Sequence, residues 1–513
     1  MHTCEALERN SNDRPTEIGF VEGKLKVSWS EMKERVLLLA KGLQGLGCGK
    51  GDFIGILAEN SLRVIEATYA VQWLGASIVP LNTRWTAPEI SFALEDASIR
   101  VLISDTAKDG IIEQMDSAIC STLTLITDSR KSAAAKLVDY EALIANSGPA
   151  NIPRQICDEA SLASLFYTGG TTGRSKGVKL THQNHVTHSL AILAEIGLGR
   201  ACKYLHAAPM FHIADSLFIH VISLRGGQHV ILPRFDPASF ASAVIEHEIT
   251  DTILVPTMIQ AIFNAEGVAD RAFSNLQRLY YGASPMPEAL LHKILDQFPD
   301  LELIQFYGQT EASPVISILP PEAHSIAGDV GNRMKSAGRP MMTTEVRIVD
   351  DEDKEIPAYD VGEIVVRGPQ VMCGYHNRPE ETASALRNGW LHTGDAGYLD
   401  NDGFLYVTDR VKDMIITGGE NVYSVEVEQV LYDLDGVAEC CVVGLPHEKW
   451  GEIVHAVIVP HTGHSISEES VKTHCKKRLA DYKRPKSVTI RTEALPLSGA
   501  GKILKRKLRE LYS

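Results

Sequence analysis

The stretch Tyr167–Lys179, YTGGTTGRSKGVK, concentrates the groups that hold a phosphate chain. Gly169, Gly170, Gly173 and Gly177 permit tight turns with positive φ, and such turns aim backbone N–H groups at an anion. Thr168, Thr171 and Thr172 add hydroxyl donors, and Lys176 adds a mobile positive charge. Together these residues suit a triphosphate. The spacing is not GxxxxGK[ST], because Gly-Lys follows neither Gly169 nor Gly170 at the required distance, so the kinase and ATPase P-loop is excluded. A flexible surface linker would share the glycines. It would seldom follow a strand or carry this content of Thr and Lys, and the apolar run Leu162–Tyr167 just ahead reads as a strand.

Such a loop needs a scaffold. Short β-branched runs recur at Phe53–Leu57, Val101–Ser104, Val230–Leu232, Thr252–Val255 and Leu303–Phe306, with helix-like stretches such as Ser61–Leu74 and Phe240–His247 between them. Strands alternating with helices predict α/β layering with largely parallel sheets. From about Val346 the character changes. Val346–Val349, Ile364–Val366 and Phe404–Val407 read as strands joined by short Gly/Asp turns, which predicts an antiparallel or barrel-like element. After Asp409 a small α/β pattern returns: Glu439–Val443, Ile453–Val459, a helix near Glu468–Leu479, then Val488–Ile490.

The chain has 513 residues, too many for one core, and its composition is that of a globular protein. Lys+Arg 50 against Asp+Glu 65 gives a net charge of −15, which argues against non-specific nucleic-acid binding, since that affinity comes from neutralising phosphates. A local basic site for a small anion is compatible with it. Nine cysteines without a CxxC support neither a zinc-ribbon spacing nor a secreted disulfide framework. Free thiols, a polar N-terminus unlike a signal peptide and no apolar run long enough to span a bilayer predict a cytoplasmic protein.

The glycine-rich stretch resembles the signature loop of the adenylate-forming superfamily, which contains acyl-CoA synthetases, luciferases and peptide-synthetase adenylation domains. Two positions depart from that loop: Gly169 stands where Ser is common and Ser175 where Pro is common. The resemblance implies altered ATP affinity rather than lost function, because Lys176 and the threonine pair remain. The other family segments follow in order. YGASP, Tyr281–Pro285, resembles the segment whose backbone (Gly282, Ala283, Ser284) lies along the adenine. YGQTE, Tyr307–Glu311, resembles the segment in which Tyr307 stacks on adenine, Thr310 touches the α-phosphate and Glu311 holds Mg²⁺. A carboxylate suits that hard ion, which takes one or two carboxylates with phosphate oxygens and water. HTGD, His392–Asp395, ends in the carboxylate that in the family binds the ribose hydroxyls, and Arg410 of Asp409-Arg410 also reaches the ribose there. PLSGAGKILK, Pro496–Lys505, resembles the loop of the adenylation lysine, here Lys502.

The resemblance extends to the other two substrates. PMFHIAD, Pro209–Asp215, matches a segment that places His212 near the acyl carboxylate, and the residues after it line the acid pocket in relatives. Asp215 is polar among apolar neighbours. A buried unpaired carboxylate is costly, so Asp215 is expected to face water, pair with a basic group, or read a polar group on the acid. ITGGENVYSVEVE, Ile416–Glu428, resembles the CoA-side loop, with Gly418 and Gly419 letting pantetheine pass the backbone. By GVAECCVVGLPHEKWGE and DRVKDMIITGGENVY the chain is most similar to medium- and long-chain fatty acyl-CoA ligases.

The resemblance therefore implies an acid:CoA ligase that uses ATP, Mg²⁺ and coenzyme A and acts through an acyl-adenylate. The implied fold is a large N-terminal domain of layered α/β sheets plus a barrel-like element, residues 1–410, with a small mobile α/β domain, residues 411–513, and a hinge at Lys412. Two alternatives share much of this sequence: a stand-alone adenylating enzyme passing the acyl group to an amine or a carrier-protein thiol, and a non-catalytic nucleotide-binding protein.

Overall fold

The computed structural model describes residues 2–128, 136–158, 160–168, 175–324, 333–410, 413–418, 420–497 and 503–513. The predicted Gly169, Gly170, Thr171, Thr172 and Gly173 of the phosphate loop, Lys412, Gly419 and Lys502 lie outside the described residues.

Four sheets form among the described residues. The first runs, edge to edge, Lys136–Asp139, Thr124–Thr127, Val101–Ser104, Phe53–Leu57, Ser77–Pro80, β1 (Leu162–Thr168) and β2 (Lys176–Thr181). Its strands are parallel up to β1, and β1 and β2 make an antiparallel hairpin. Val101–Ser104 and Ser77–Pro80 are buried at every position. That is the pattern of strands covered on both faces, as in a parallel sheet. The helix α1 (His182–Ile196) starts directly after β2. Thr181 and Asn184 cap it reciprocally, with Asn184 N donating to Thr181 Oγ1 at 3.0 Å and Thr181 N donating to Asn184 Oδ1 at 2.8 Å. Such a cap contributes about 1 kcal/mol and ends the hairpin at a fixed residue.

The second sheet has nine strands, in the order Arg339–Pro340, Val315–Leu319, then β5, β4, Asp251–Leu254, β3, Gln228–Ile231, Ile18–Glu22 and Leu25–Ser28. Here β3 is Lys203–His206, β4 is Arg278–Gly282 and β5 is Glu302–Gly308; α2 (Ile213–Arg225) follows β3. Between the two sheets lie helices that are apolar nearly all round. In Leu62–Trp73 every residue but Arg63 is buried, as required of a helix sandwiched between layers. One apolar cluster joins Ile54 and Ile78 of the first sheet, Ile65 and Tyr69 of that helix, and Phe20 and Ile231 of the second sheet.

The segment from Val346 forms an antiparallel sheet, as its short turns predict: Glu345–Val349, Gly362–Arg367, β6 (Trp390–Leu399) and Leu386–Arg387, with β7 (Leu405–Arg410) paired to β6. Its apolar face packs on the larger unit, because Ile348, Ile364 and Leu405 share a cluster with Phe166, Val178 and Ile213. The last sheet combines Glu420–Val422, Ile415–Thr417, Gly451–Pro460 and Val437–His447, with Ser487–Ile490 beside Gly451–Pro460. It is covered by α3 (Ser424–Tyr432), Glu468–Lys476 and α4 (Lys505–Tyr512). The two apolar clusters of this region draw only on residues from Ile415 onward. Among the described residues, no helix is long and apolar enough to cross a membrane.

Candidate active site

In open parallel sheets ligands sit beyond the carboxyl ends of the strands. Thr168 ends β1, Gly282 ends β4 and Gly308 ends β5. The hairpin sets the mouth of the phosphate loop, for Thr168 pairs with Lys176 across it. Gly177, next to Lys176, is closely packed: a Cβ there would lie 2.9 Å from Leu165 Cδ1 and 3.3 Å from His376 Cβ.

β4 and β5 approach closely. A Cβ on Gly282 would meet the Phe306 carbonyl oxygen at 2.2 Å. The next residue, Ala283, has φ of +66°, a left-handed conformation that a non-glycine residue adopts at a cost and that recurs at ligand sites. Thus the YGASP segment turns sharply off its strand, with Tyr281 anchored by a 2.8 Å hydrogen bond to His324 Nε2. His324 Nδ1 lies 2.9 Å from the Pro320 carbonyl, to which it donates, so Nε2 accepts from the tyrosine.

Tyr307, Asp395 and Arg410 converge from three strands. Asp395 and Arg410 are register partners across β6 and β7, and Arg410 Nε lies 3.3 Å from Asp395 Oδ1. Tyr307 Oη donates to Asp395 Oδ2 at 2.8 Å. Burial works against the Arg410 charge, but Asp395, Asp413, Glu311 and Tyr307 outweigh it and raise its pKa. Burial, then the Asp395 carboxylate, pushes the Tyr307 phenol well above its usual range, so it remains a donor. The HTGD residues therefore lie within a strand, not in a turn, and both carboxylate oxygens are oriented before any ligand arrives.

Thr310 and Glu311 sit in a single helical turn, Thr310–Ala312, directly after β5. Glu311 Oε1 accepts from the Tyr375 hydroxyl at 2.9 Å. Tyr375 belongs to a segment that runs along β2: Lys179 N donates to Gly374 O at 3.0 Å and His376 N to Gly177 O at 2.7 Å. The same ring lies under Lys176, whose Nζ is 5.1 Å from its centroid, within cation–π range. Tyr375 thus ties the lysine of the phosphate loop to the acid of YGQTE. Sequence reasoning missed it, since no spacing rule connects CGYH to either motif.

His212 caps α2, with its Nδ1 accepting from Ala214 N at 3.3 Å. Asp215, one turn on, is 0% exposed and takes the second of its three expected outcomes: its Oδ1 lies 2.5 Å from His206 Nδ1 at the end of β3. From there a buried chain continues through His229 (3.0 Å), Ser223 (3.0 Å) and the Tyr69 hydroxyl (2.8 Å). Burial raises the Asp215 pKa, and His206 opposes that shift.

On the C-terminal side, Gly418 has φ of +62° and donates its N–H to Trp450 O at 2.8 Å. The positive φ favours glycine there, and a Cβ would sit 3.0 Å from the Trp450 ring. Asp409 Oδ2 accepts from Ser424 N (2.5 Å) and Oγ (2.6 Å) at the start of α3. Lys505 joins Ser424 Oγ and lies 2.9 Å from Glu428 Oε1.

The donor set suits a nucleotide with a hard divalent ion. Glu311 offers carboxylate oxygen beside a threonine hydroxyl, Lys176 offers charge, and no soft ligand intrudes among these described residues.

The AMP-binding enzyme family matches residues 7–376, and the AMP-binding enzyme C-terminal domain matches residues 426–502. The chain is 37% identical over 505 residues to a feruloyl-CoA synthase of an Amycolatopsis species, covering 98% of each. It is 35% identical over 491 residues to the long-chain-fatty-acid–CoA ligase FadD13 of Mycobacterium tuberculosis, covering 95% of this chain and 94% of that one. Among solved structures, o-succinylbenzoate CoA synthetase of Bacillus subtilis with its acyl-adenylate intermediate superposes with a TM-score of 0.85 at 30% identity, covering 98% of this chain and 97% of that one.

Proposed function

The chain belongs to the AMP-binding enzyme family and is an ATP-dependent, AMP-forming acid:CoA ligase, and from that premise we propose how its residues divide the work. The observation that carries the assignment is the convergence of Tyr307, Asp395 and Arg410 near Glu311, which Tyr375 links to Lys176. In the first half-reaction a carboxylate oxygen of the acid attacks the α-phosphorus of ATP, forming acyl-AMP and expelling pyrophosphate. In the second, the CoA thiol attacks the acyl carbonyl, forming the thioester and expelling AMP.

Asp395 and Arg410 hold the ribose, Tyr307 packs on the adenine, and Gly282, Ala283 and Ser284 line it. Thr168, Lys176 and the glycines and threonines of the loop hold the phosphates. Thr310 contacts the α-phosphate. Glu311 would hold Mg²⁺, which when bound neutralises charge on the phosphate oxygens. His212 is placed near the acyl carboxylate, and Lys502 offsets the repulsion as two anions meet, which a positioned ammonium does best in a dry site. Gly418 and Gly419 lie on the CoA side. The boundary falls at residues 410/411 with a hinge at Lys412, a reading supported by apolar clusters that begin only at Ile415. We place the enzyme in the cytoplasm, a reading supported by nine free cysteines.

The test is an acid panel spanning hydroxycinnamates and fatty acids, with ATP and Mg²⁺, with and without CoA. Acyl-CoA, AMP and pyrophosphate should appear in equal amounts for the accepted acid. Pyrophosphate release with no thioester, relieved by an amine or a carrier-protein thiol, would transfer the enzyme to the other acceptor class. No pyrophosphate with any acid would leave only nucleotide binding.

A further inference from the structure

His2, Cys157 and His182 come together outside the nucleotide site. One potential ligand atom from each lies within 4.8 Å of the others. The imidazoles are stacked, with centroids 4.1 Å apart and planes at 30°, and are 6% and 0% exposed; Cys157 is half-buried. Their Nδ1 atoms are hydrogen-bonded. Thr3 Oγ1 donates to Gln72 Oε1 at 2.6 Å and lies 2.9 Å from His182 Nδ1. His182 Nδ1 also receives the Thr3 backbone N–H at 3.5 Å, and its Nε2 is buried with no hydrogen-bond partner. His2 Nδ1 accepts from Cys4 N at 3.1 Å, and its Nε2 is likewise buried without a partner. Two stacked rings, each with an unpartnered buried nitrogen, gathered with a thiol point to a shared occupant.

We propose that His2, Cys157 and His182 form a binding site for a zinc-class divalent cation. Two neutral imidazoles and one thiolate are the ligand set such an ion selects. Tetrahedral zinc needs its nitrogen and sulfur ligands about 3.3–3.7 Å apart, so the group, with its atoms within 4.8 Å, closes by up to about 1.5 Å. Cys157 can supply that movement, because residues 151–158 have no regular secondary structure. On binding, the Cys157 S–H bond is replaced by a sulfur–metal bond and the proton leaves to solvent. His2 keeps its proton, which moves to Nδ1 at the expense of the Cys4 hydrogen bond. The nearby guanidinium of Arg154 is balanced by Glu8 at 3.2 Å and Glu5 at 3.8 Å, and Lys50 near Cys157 by Asp158.

The site has a structural consequence. Cys157 precedes β1, His182 is the first residue after β2, and His182 N donates to Ser161 O at 3.1 Å. An ion held there would clamp the root of the phosphate-loop hairpin to the segment ahead of helix Glu5–Asp13.

An untagged full-length chain, stripped with a chelator, would be titrated with Co²⁺ and then competed with Zn²⁺. One ion per chain and a thiolate-to-cobalt absorption band are expected. Cys157→Ser and His2→Ala should abolish the band and weaken zinc binding by at least about tenfold. Cys373→Ser, at an exposed thiol, should change neither. Zinc should raise the melting temperature of wild type and not of Cys157→Ser, with folding of each variant checked by pyrophosphate release. Absence of the thiolate band in wild type, or equal zinc affinity in wild type and Cys157→Ser, would overturn the site.

Discussion

The Tyr307 hydroxyl donates to Asp395 Oδ2 at 2.8 Å while Arg410 stands 3.3 Å from Oδ1, so one carboxylate is held from two sides by residues of different strands. Tyr307→Phe should raise the KM for ATP by roughly tenfold, since an oriented hydrogen bond to a charged group is worth about 1.5–3 kcal/mol. Asp395→Ala should cost more, because it also leaves the Arg410 guanidinium without its carboxylate. ATP titrations of pyrophosphate release check this. A Tyr307→Phe enzyme with an unchanged KM would remove the hydroxyl from the ribose site.

Glu311→Gln should weaken the apparent Mg²⁺ dependence and acyl-AMP formation together, with the melting temperature nearly unchanged. Tyr375→Phe should shift the Mg²⁺ titration in the same direction by a few-fold, since it loses only the 2.9 Å bond that orients Glu311. Identical metal titrations for wild type and both variants would contradict the assignment.

Lys502→Ala should slow acyl-AMP formation by orders of magnitude and leave thioester formation from supplied acyl-AMP near wild type. Lys412→Pro should do the reverse, because proline restricts φ where a domain rotation needs freedom. Pre-steady-state measurement of each half-reaction separates them. Equal loss in both steps for either variant would make that residue structural.

Asp215→Ala should lower unfolding stability by about 1–3 kcal/mol, since it strips a partner from buried His206. Asp215→Asn, which still accepts a hydrogen bond, should lower it less. The ranking of acids should not change in either variant. Unchanged urea midpoints with an altered acid ranking would instead make Asp215 a reader of the substrate.

Burial lowers the pKa of His185 to about 4, of His188 to about 3 and of His324 to about 4. His188 must stay neutral to accept from Val315 N at 3.2 Å. A base depressed on folding binds its proton more readily in the unfolded chain, so stability falls as pH drops below the unfolded value of about 6.5. Each such group contributes a slope of about 1.4 kcal/mol per pH unit until its folded pKa is reached. Urea unfolding across this range should show the decline, and His324→Gln should flatten it by about one proton. A stability that rises on acidification would contradict the neutral assignment.

The chemistry was legible in the chain because its motifs are local. The Gly/Thr/Lys loop, YGASP, YGQTE and HTGD each place their groups within a few residues, and the apolar runs at Phe53–Leu57 and Val101–Ser104 become strands with those bounds. Period and turn chemistry act over such distances, so the alternation of strands and helices was legible as well. Tertiary structure decided what those groups touch. Tyr375 reaches Glu311 across 64 positions, and Tyr307 reaches Asp395 across 88, because strand register and sheet packing bring them together. Asp215 shows the same division. Its sequence neighbours made a buried carboxylate costly, but only the packing of α2 against β3 supplied His206 as the partner that offsets the cost. His2 and His182 likewise meet through packing, since no periodicity links the start of the chain to the end of a distant hairpin.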